Sequence, residues 1–244
     1  MMVRYVSNAG LVLKQDGISI GVDCLSKDVN ELYHDTSFNI EQELMREIEN
    51  GSLHALIFTH EHSDHFDAEM VKKACLQNPA LKVFGGKSVI HLLQQESTAE
   101  EQLIEIMDLN KIEIGAMQIQ FLQTIHEGAE YADVENFTLL INKEGKHFVV
   151  TGDAAPTNEL FERISAWSRE IDCLFAPFPY VGLNSTRRLL CKHLNIKKIF
   201  AYHLPRPEKD VQGWIANTKR VCKQAKDGLP MPIFPEKLED WHCL

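Results

Sequence analysis

The sequence predicts an α/β fold in which buried strands alternate with amphipathic helices and deliver polar residues to one rim. Short apolar runs rich in β-branched and aromatic residues recur along the chain, separated by segments with helical spacing. Several of these runs stop at a histidine or an aspartate. One of them, residues 53–58, leads into Thr59-His60-Glu61-His62-Ser63-Asp64-His65, where three histidines and two acids fall within six residues. A buried strand that meets a helix at such a cluster places it at the edge of a sheet, where open α/β sheets bind their ligands.

Composition bounds the reading. The 244 residues are 44% hydrophobic and 25% charged, enough for a sizeable core. A net charge of −10 works against long-range steering of nucleic acid, although it leaves room for a local basic groove. Met1-Met2-Val3-Arg4-Tyr5 has no apolar signal core, and no stretch reaches the ~18 apolar residues of a membrane span. Cys24, Cys75, Cys173, Cys191, Cys222 and Cys243 stand singly and read as reduced core thiols, neither ligands nor nucleophiles. The expectation is a cytoplasmic protein that acts on a small molecule, with no membrane or nucleic-acid partner.

Residues 3–23 read as a meander, with strands at 3–6, 10–14 and 18–22 separated by Ser7-Asn8-Ala9-Gly10 and Gln15-Asp16-Gly17 turns. Asp23 ends the third strand and either braces the histidine loop or caps the turn. Residues 26–38 are polar and irregular, and 40–48 have helical spacing that ends at Asn50-Gly51. So long a connection between core strands is a lid or pocket wall, or else a surface insertion. Beyond the cluster, Asp67 caps a helix to Cys75, 82–84 form a strand, and Gly85-Gly86-Lys87-Ser88 turns into a helix over 89–95. That turn is no phosphate loop, because Leu81 stands where the pattern requires glycine.

Four further strand-like runs follow. Residues 118–125 deliver His126, 147–152 deliver Asp153, and 198–202 deliver His203. Residues 173–176 run instead into Pro177-Phe178-Pro179-Tyr180, which reads as a stiff loop on the same rim, with helices at 159–167 and 187–194 between the strands.

In a near-extended segment His60 and His62, at i and i+2, point the same way and can share one metal. Asp64 and His65 can reach a second beside it. Neutral imidazole with carboxylate suits zinc first, with iron and manganese as rivals. A solvated polar loop is the bland alternative, but only 11 of 244 residues are histidine, so three in six is a strong departure. Four separate strands ending in metal-competent residues are what a pre-formed binuclear centre requires. His34, His54, His91, His147, His193 and His242 follow no such rule and read as structural or surface residues.

His60-x-His62-x-Asp64-His65, followed by His126, by Asp153 in Thr-Gly-Asp and by His203, resembles the metallo-β-lactamase-fold hydrolase superfamily over about residues 3–205. The resemblance implies a four-layer αβ/βα sandwich, two mixed sheets flanked by helices, with two zinc ions (or iron or manganese) at one edge. It implies that His60, His62 and His126 hold the first metal, that Asp64, His65 and His203 hold the second, and that Asp153 bridges them. His62 stands where flavodiiron-like relatives carry glutamate, which disfavours a redox diiron centre. The residues after His203 are too few for the helical domain of glyoxalase II-like members, and no insertion matches the extra domain of the mRNA-end nucleases. What the resemblance leaves is a compact bacterial-type metallo-hydrolase domain over 1–244, with 24–50 as a lid insertion and 206–244 as a C-terminal extension.

The implied function is hydrolysis of a small ester-type substrate (phosphodiester, lactone or thioester) by a metal-bridging hydroxide, with Asp64 as the catalytic proton handler. Glu61 and Glu127 are either supporting acids or solvated side chains. Tyr180 and Arg206 are candidate substrate contacts, with surface structure as the alternative. Two other functions remain open: a non-catalytic metal-dependent metabolite-binding or regulatory protein, and a tRNA 3′-end-processing-type nuclease. The complete ligand set favours an enzyme, and the lack of a basic cluster or a long Gly/Pro-rich arm argues against the nuclease.

Overall fold

The computed structural model describes residues 1–29, 31–235 and 237–244; Asn30, within 24–50, and Glu236, within 206–244, lie outside the described residues. The chain opens with the antiparallel meander β1 (Met2–Tyr5), β2 (Leu11–Gln15) and β3 (Ile18–Val22). Helix α1 (Phe38–Glu49) leads to β4 (Ala55–Ile57), α2 (Ala68–Gln77), β5 (Lys82–Gly85), α3 (Lys87–Gln95) and β6 (Leu103–Glu105). These three strands extend the sheet in parallel from β3. A second sheet begins with β7 (Lys111–Ile114), β8 (Met117–Ile125), β9 (Glu135–Lys143) and β10 (Lys146–Val150), all antiparallel. It continues through α4 (Asn158–Trp167), the short β11 (Glu170–Ile171), β12 (Cys173–Pro177), α5 (Phe178–Gly182), α6 (Asn184–His193), the short β13 (Asn195–Ile196) and β14 (Ile199–Tyr202). Strands β12 and β14 run parallel to β10. After α7 (Trp214–Gln224), β15 (Trp241–Cys243) pairs with β1 and completes the first sheet in the order β15-β1-β2-β3-β4-β5-β6; the second runs β14-β12-β10-β9-β8-β7.

The period of two along each strand builds the layers. Leu11, Leu13, Ile20 and Ile57 of the first sheet meet Phe121, Leu139, Phe148 and Phe175 of the second in a core between the sheets. Residues of opposite parity, Val12, Leu56 and Val83, pack under Leu44 and Ile48 of α1, Val71 of α2 and Val89 of α3. Leu140, Val149 and Leu174 do the same under Leu160, Phe161 and Ile164 of α4 and Leu190 of α6. Helices on sheet, sheet on sheet and sheet on helices give the four-layer αβ/βα sandwich. Ser37, Asp67 and Thr157 cap α1, α2 and α4 by accepting the backbone N–H three residues on.

The structure departs from the sequence reading in its elements. Strands β6, β7, β9, β11, β13 and β15 and helix α7 were not anticipated, and β9 lies in the middle of the second sheet between β8 and β10. The stretch 177–180 is no loop: Pro177 ends β12, and Phe178 and Pro179 start α5, whose first turn needs no N–H from proline. Segment 24–50 divides, because α1 buries Ile40, Leu44, Met45 and Ile48 in the helical layer while Asp28, Leu32 and Tyr33 wall a cavity. Segment 206–244 is woven in, with α7 on α5, Ile233 bridging Phe200, and β15 closing a sheet edge. Among the described residues no helix is long and apolar enough to cross a membrane.

One ion pair fastens the last segment. Arg187 is buried in α6 and donates Nε to Asp227 Oδ2 at 2.6 Å, Nη2 to Asp227 Oδ1 at 2.8 Å, and Nη1 to the Val181 carbonyl at 3.1 Å. The guanidinium holds the Asp227 carboxyl below the usual carboxylate range. Its contribution to stability is therefore present above about pH 4 and lost as acid protonates the folded carboxyl. Asp227→Ala leaves the buried guanidinium with the Val181 carbonyl alone among its oxygen partners and should cost roughly 1–3 kcal/mol by urea denaturation, whereas Arg187→Met combined with Asp227→Leu should recover most of that loss.

Candidate metal centre

The two sheets bring their strand ends to one edge of the sandwich. The turn after β4 carries His60, His62, Asp64 and His65, and the residues that follow β8, β10 and β14 are His126, Asp153 and His203. Two more strand ends enter from the first sheet, Asn8 after β1 and Asp23 after β3. Asp23 Oδ1 accepts the Thr59 N–H at 2.8 Å, and its Oδ2 accepts the Thr59 hydroxyl at 2.7 Å and His65 Nδ1 at 2.9 Å. Gly152 is left-handed at φ 56°. A Cβ there would come within 2.5 Å of Asn136 Oδ1, the atom that accepts the Asp153 N–H at 3.0 Å, so the Thr-Gly-Asp turn requires glycine. His203 is itself left-handed at φ 60°, held by its N–H to the Asn8 carbonyl at 2.9 Å.

Three overlapping sets of side chains converge: His60, His62 and His126; His60, His65 and Asp153; and Asp64, His65 and His203. Within each set the ligand atoms lie within 4.8 Å of one another. Asp153 Oδ2 sits among them, 3.1 Å from His203 Nε2, 3.4 Å from His65 Nε2 and 3.8 Å from His126 Nε2. Asp64 Oδ2 is 3.3 Å from His203 Nε2.

Hydrogen bonding fixes which ring nitrogens are free. The single Thr59 hydroxyl proton goes to Asp23, so at 3.0 Å the Thr59 oxygen accepts from His60 Nδ1–H. His126 Nδ1 donates to the Glu127 carbonyl at 2.6 Å, and His65 Nδ1 donates to Asp23. Each of these rings therefore turns its Nε2 inward. His60 Nε2 and His126 Nε2 end 3.3 Å apart, two acceptors facing each other. Among the described residues, the buried atoms His65 Nε2, His203 Nε2 and Asp153 Oδ1 have no hydrogen-bond partner. Converging imidazole Nε2 atoms and carboxylate oxygens fit metal cations, with the outer nitrogens held as metal-ligating imidazoles usually are.

Electrostatics matches the geometry. Burial, with His65 nearby, pushes His60 well below the ordinary imidazole range, so it is neutral. Burial also pushes His65 and His203 down, but Asp153 and Asp64 outweigh it and raise both to about 10. Burial would raise the Asp153 carboxyl, yet His203 and His65 hold it well below the usual range.

Other residues named from the sequence fall as follows. Asp23 braces the loop. Glu127 uses its carbonyl on His126, whereas the Glu61 carboxyl is half-buried and pushed up by burial. Tyr180 is buried, lines the cavity and donates its hydroxyl to the Ala154 carbonyl. Arg206 lies outside the cavity lining and spends its guanidinium on the Tyr33 carbonyl and, at 3.4 Å, on Asp35. His34 accepts the Asn8 N–H through its carbonyl. Among the described residues no cysteine, and none of His34, His54, His91, His147, His193 and His242, joins the converging sets. Sequence reasoning missed Asn8, whose Nδ2 donates to Asp64 Oδ2 at 2.7 Å, and Tyr33 and Tyr131. The Tyr33 ring lies 4.2 Å from His203, and the Tyr131 ring 4.8 Å from His62.

Comparison with known proteins follows the same lines. The model of the beta-lactamase superfamily domain matches residues 30–203. No curated protein matches the chain. YhfI, a metallo-beta-lactamase fold protein from Bacillus subtilis, is similar over 99% of this chain and 98% of its own, at 18% identity and a TM-score of 0.68. An isothiocyanate hydrolase from Delia radicum gut bacteria is similar over 100% and 99%, at 15% identity and a TM-score of 0.68. CmlA, a diiron beta-hydroxylase from Streptomyces venezuelae, is similar over 100% of this chain but 53% of its own, at 15% identity and a TM-score of 0.62. At these identities the likeness concerns the fold, which a hydrolase and a diiron hydroxylase share.

Ligand binding must displace the protons that Asp153 and Asp64 hold on His65 and His203. Because both imidazoles are raised towards 10 in the metal-free chain, they are charged at pH 7. Zinc uptake at pH 7 should therefore release protons, and affinity should rise with pH over the range in which these groups titrate. Calorimetry in buffers of different ionisation enthalpy reads the release directly, and uptake without it would count against His65 and His203 as ligands.

Proposed function

This chain belongs to the beta-lactamase superfamily, and we propose that it is a metal-dependent hydrolase acting on a small ester-type substrate (a phosphodiester, lactone or thioester) through a binuclear centre. In this reading residues 1–244 form one catalytic domain. His60, His62 and His126 would hold one ion, Asp64, His65 and His203 the other, and Asp153 would serve both. Zinc is the first choice, because five imidazoles and two carboxylates without a thiolate form a borderline donor set; iron and manganese are the rivals. The observation that carries the reading is the convergence of unpaired Nε2 and carboxylate atoms beneath a cavity of about 410 Å³ lined by His62, Asp64, His126, Asp153 and His203. That volume suits a small-molecule ligand.

When bound, such ions supply Lewis acidity, polarising the scissile group and lowering the pKa of a water to about 7. The chain does the rest. Asp23 keeps the His65 ring in the tautomer that points Nε2 inward, and Thr59 does the same for His60. Asn8 pins Asp64 by Oδ2, leaving Oδ1 as our candidate acceptor for the proton of the attacking water. Positioned acid–base help of this kind is typically worth about 10²–10⁴-fold. The Tyr33 ring packs edge-on against the His203 imidazole, and the Tyr131 ring against those of His62 and His126.

Zinc-loaded protein should hydrolyse at least one member of a panel of bis-p-nitrophenyl phosphate, acyl-lactones and thioesters. Asp153→Ala should lose one or both ions and lower hydrolysis by orders of magnitude. Asp23→Ala, which removes only the brace on His65 and Thr59, should cost about 10–100-fold in metal affinity or activity. His34→Ala should leave metal content unchanged. If His34→Ala stripped the metal while Asp153→Ala kept two ions, the site would lie elsewhere.

A further inference from the structure

The cavity walls speak to the substrate independently of the ligand set. Among the described residues no lysine or arginine lines the cavity, and Arg206 is tied to Tyr33 and Asp35 outside it. The charged wall residues beyond the converging cluster are Asp28 and Glu127, both acidic. Asp28 is fixed, 5% exposed, with Oδ2 accepting the Tyr33 N–H at 2.7 Å. Three of the wall residues, Pro156, Pro177 and Pro179, supply no backbone N–H. The outer wall is apolar: Leu183 and Tyr131 line the cavity while remaining 52% and 41% exposed. Anion-binding sites commonly use arginine forks, lysine or free backbone N–H groups, and this wall offers neither arginine nor lysine.

We propose that this cavity selects an uncharged acyl substrate, an ester, thioester or lactone with an apolar acyl chain, and rejects one bearing an anionic group away from the reacting carbonyl. The inference rests on the hydrolase reading above and narrows it to substrates that carry no charge away from the reacting group. In the reaction water oxygen bonds to the acyl carbon, the acyl C–O or C–S bond breaks, and the leaving alcohol or thiol takes a proton from that water. The acid product then ionises.

The test keeps the reacting centre constant and moves only the remote charge. With zinc-loaded protein, kcat/KM for p-nitrophenyl hexanoate should exceed that for mono-p-nitrophenyl adipate by about tenfold or more, because the distal carboxylate faces acidic and apolar wall. Leu183→Arg, at an exposed wall position, should raise the adipate-to-hexanoate ratio with metal content unchanged. Equal or faster turnover of the adipate by the wild-type chain would overturn the proposal. Saturation-transfer NMR with hexanamide and adipic acid monoamide reads the same preference without turnover: stronger transfer to hexanamide supports it, and equal or stronger transfer to the anionic amide overturns it. Preference for hexanamide with no ester cleaved would retain this inference and defeat the hydrolase reading. Hydrolysis with no charge preference would do the reverse.

Discussion

The buried carboxylate of Asp23 is the fixed point from which the rest of the site is hung. It is 1% exposed, and its two oxygens together take three donors: the Thr59 N–H, the Thr59 hydroxyl and His65 Nδ1. A charge so deeply buried is tolerated only when its acceptor sites are used. Using them dictates the path of the chain from Thr59 to His65 and hence the direction of four ligand-type side chains. Asp23 is itself positioned by a left-handed backbone at φ 48° and by its N–H to the Ile57 carbonyl, so the constraint originates in the pairing of β3 with β4.

Thr59 carries that constraint across to the second sheet. Its carbonyl accepts the Phe137 N–H of β9 at 3.0 Å, and the next residue back, Asn136, holds the Asp153 turn through its side chain. Asn136 Nδ2 also donates to Thr124 Oγ1 at 2.8 Å, two residues before His126. On the other flank Asn8 binds Asp64 through its side chain and His203 through its carbonyl. Two asparagines and one aspartate, all buried, thus set the relative positions of side chains delivered by four strands. Such pre-organisation lets a site accept an ion without rearranging its ligands.

How much of this could be read from the sequence depended on whether the signal was local. The His60–His65 cluster declares itself within six residues, and His126, Asp153 and His203 each end an apolar run whose composition is that of a strand. Strand β9 was missed although Phe137, Thr138, Leu139, Leu140 and Ile141 are all buried: covered on both faces, it lacks the alternation that marks a half-exposed strand. Asn8 looked like a turn residue because its partner, Asp64, is 56 positions away. The role of Asn136 was hidden for the same reason. Pro177 and Pro179 suggested a loop, but proline suits the first turn of a helix equally well, and only the burial of Tyr180 and Val181 distinguishes the two.

On the function proposed above, one edge of this sandwich would hold two metal ions through seven side chains, with Asp153 serving both. Elemental analysis of the chain after reconstitution with excess zinc and removal of unbound metal measures it most directly. The account predicts close to two zinc ions per chain. Saturation at a single ion would remove the bridging role of Asp153, and a chain that retained none would contradict the account as a whole.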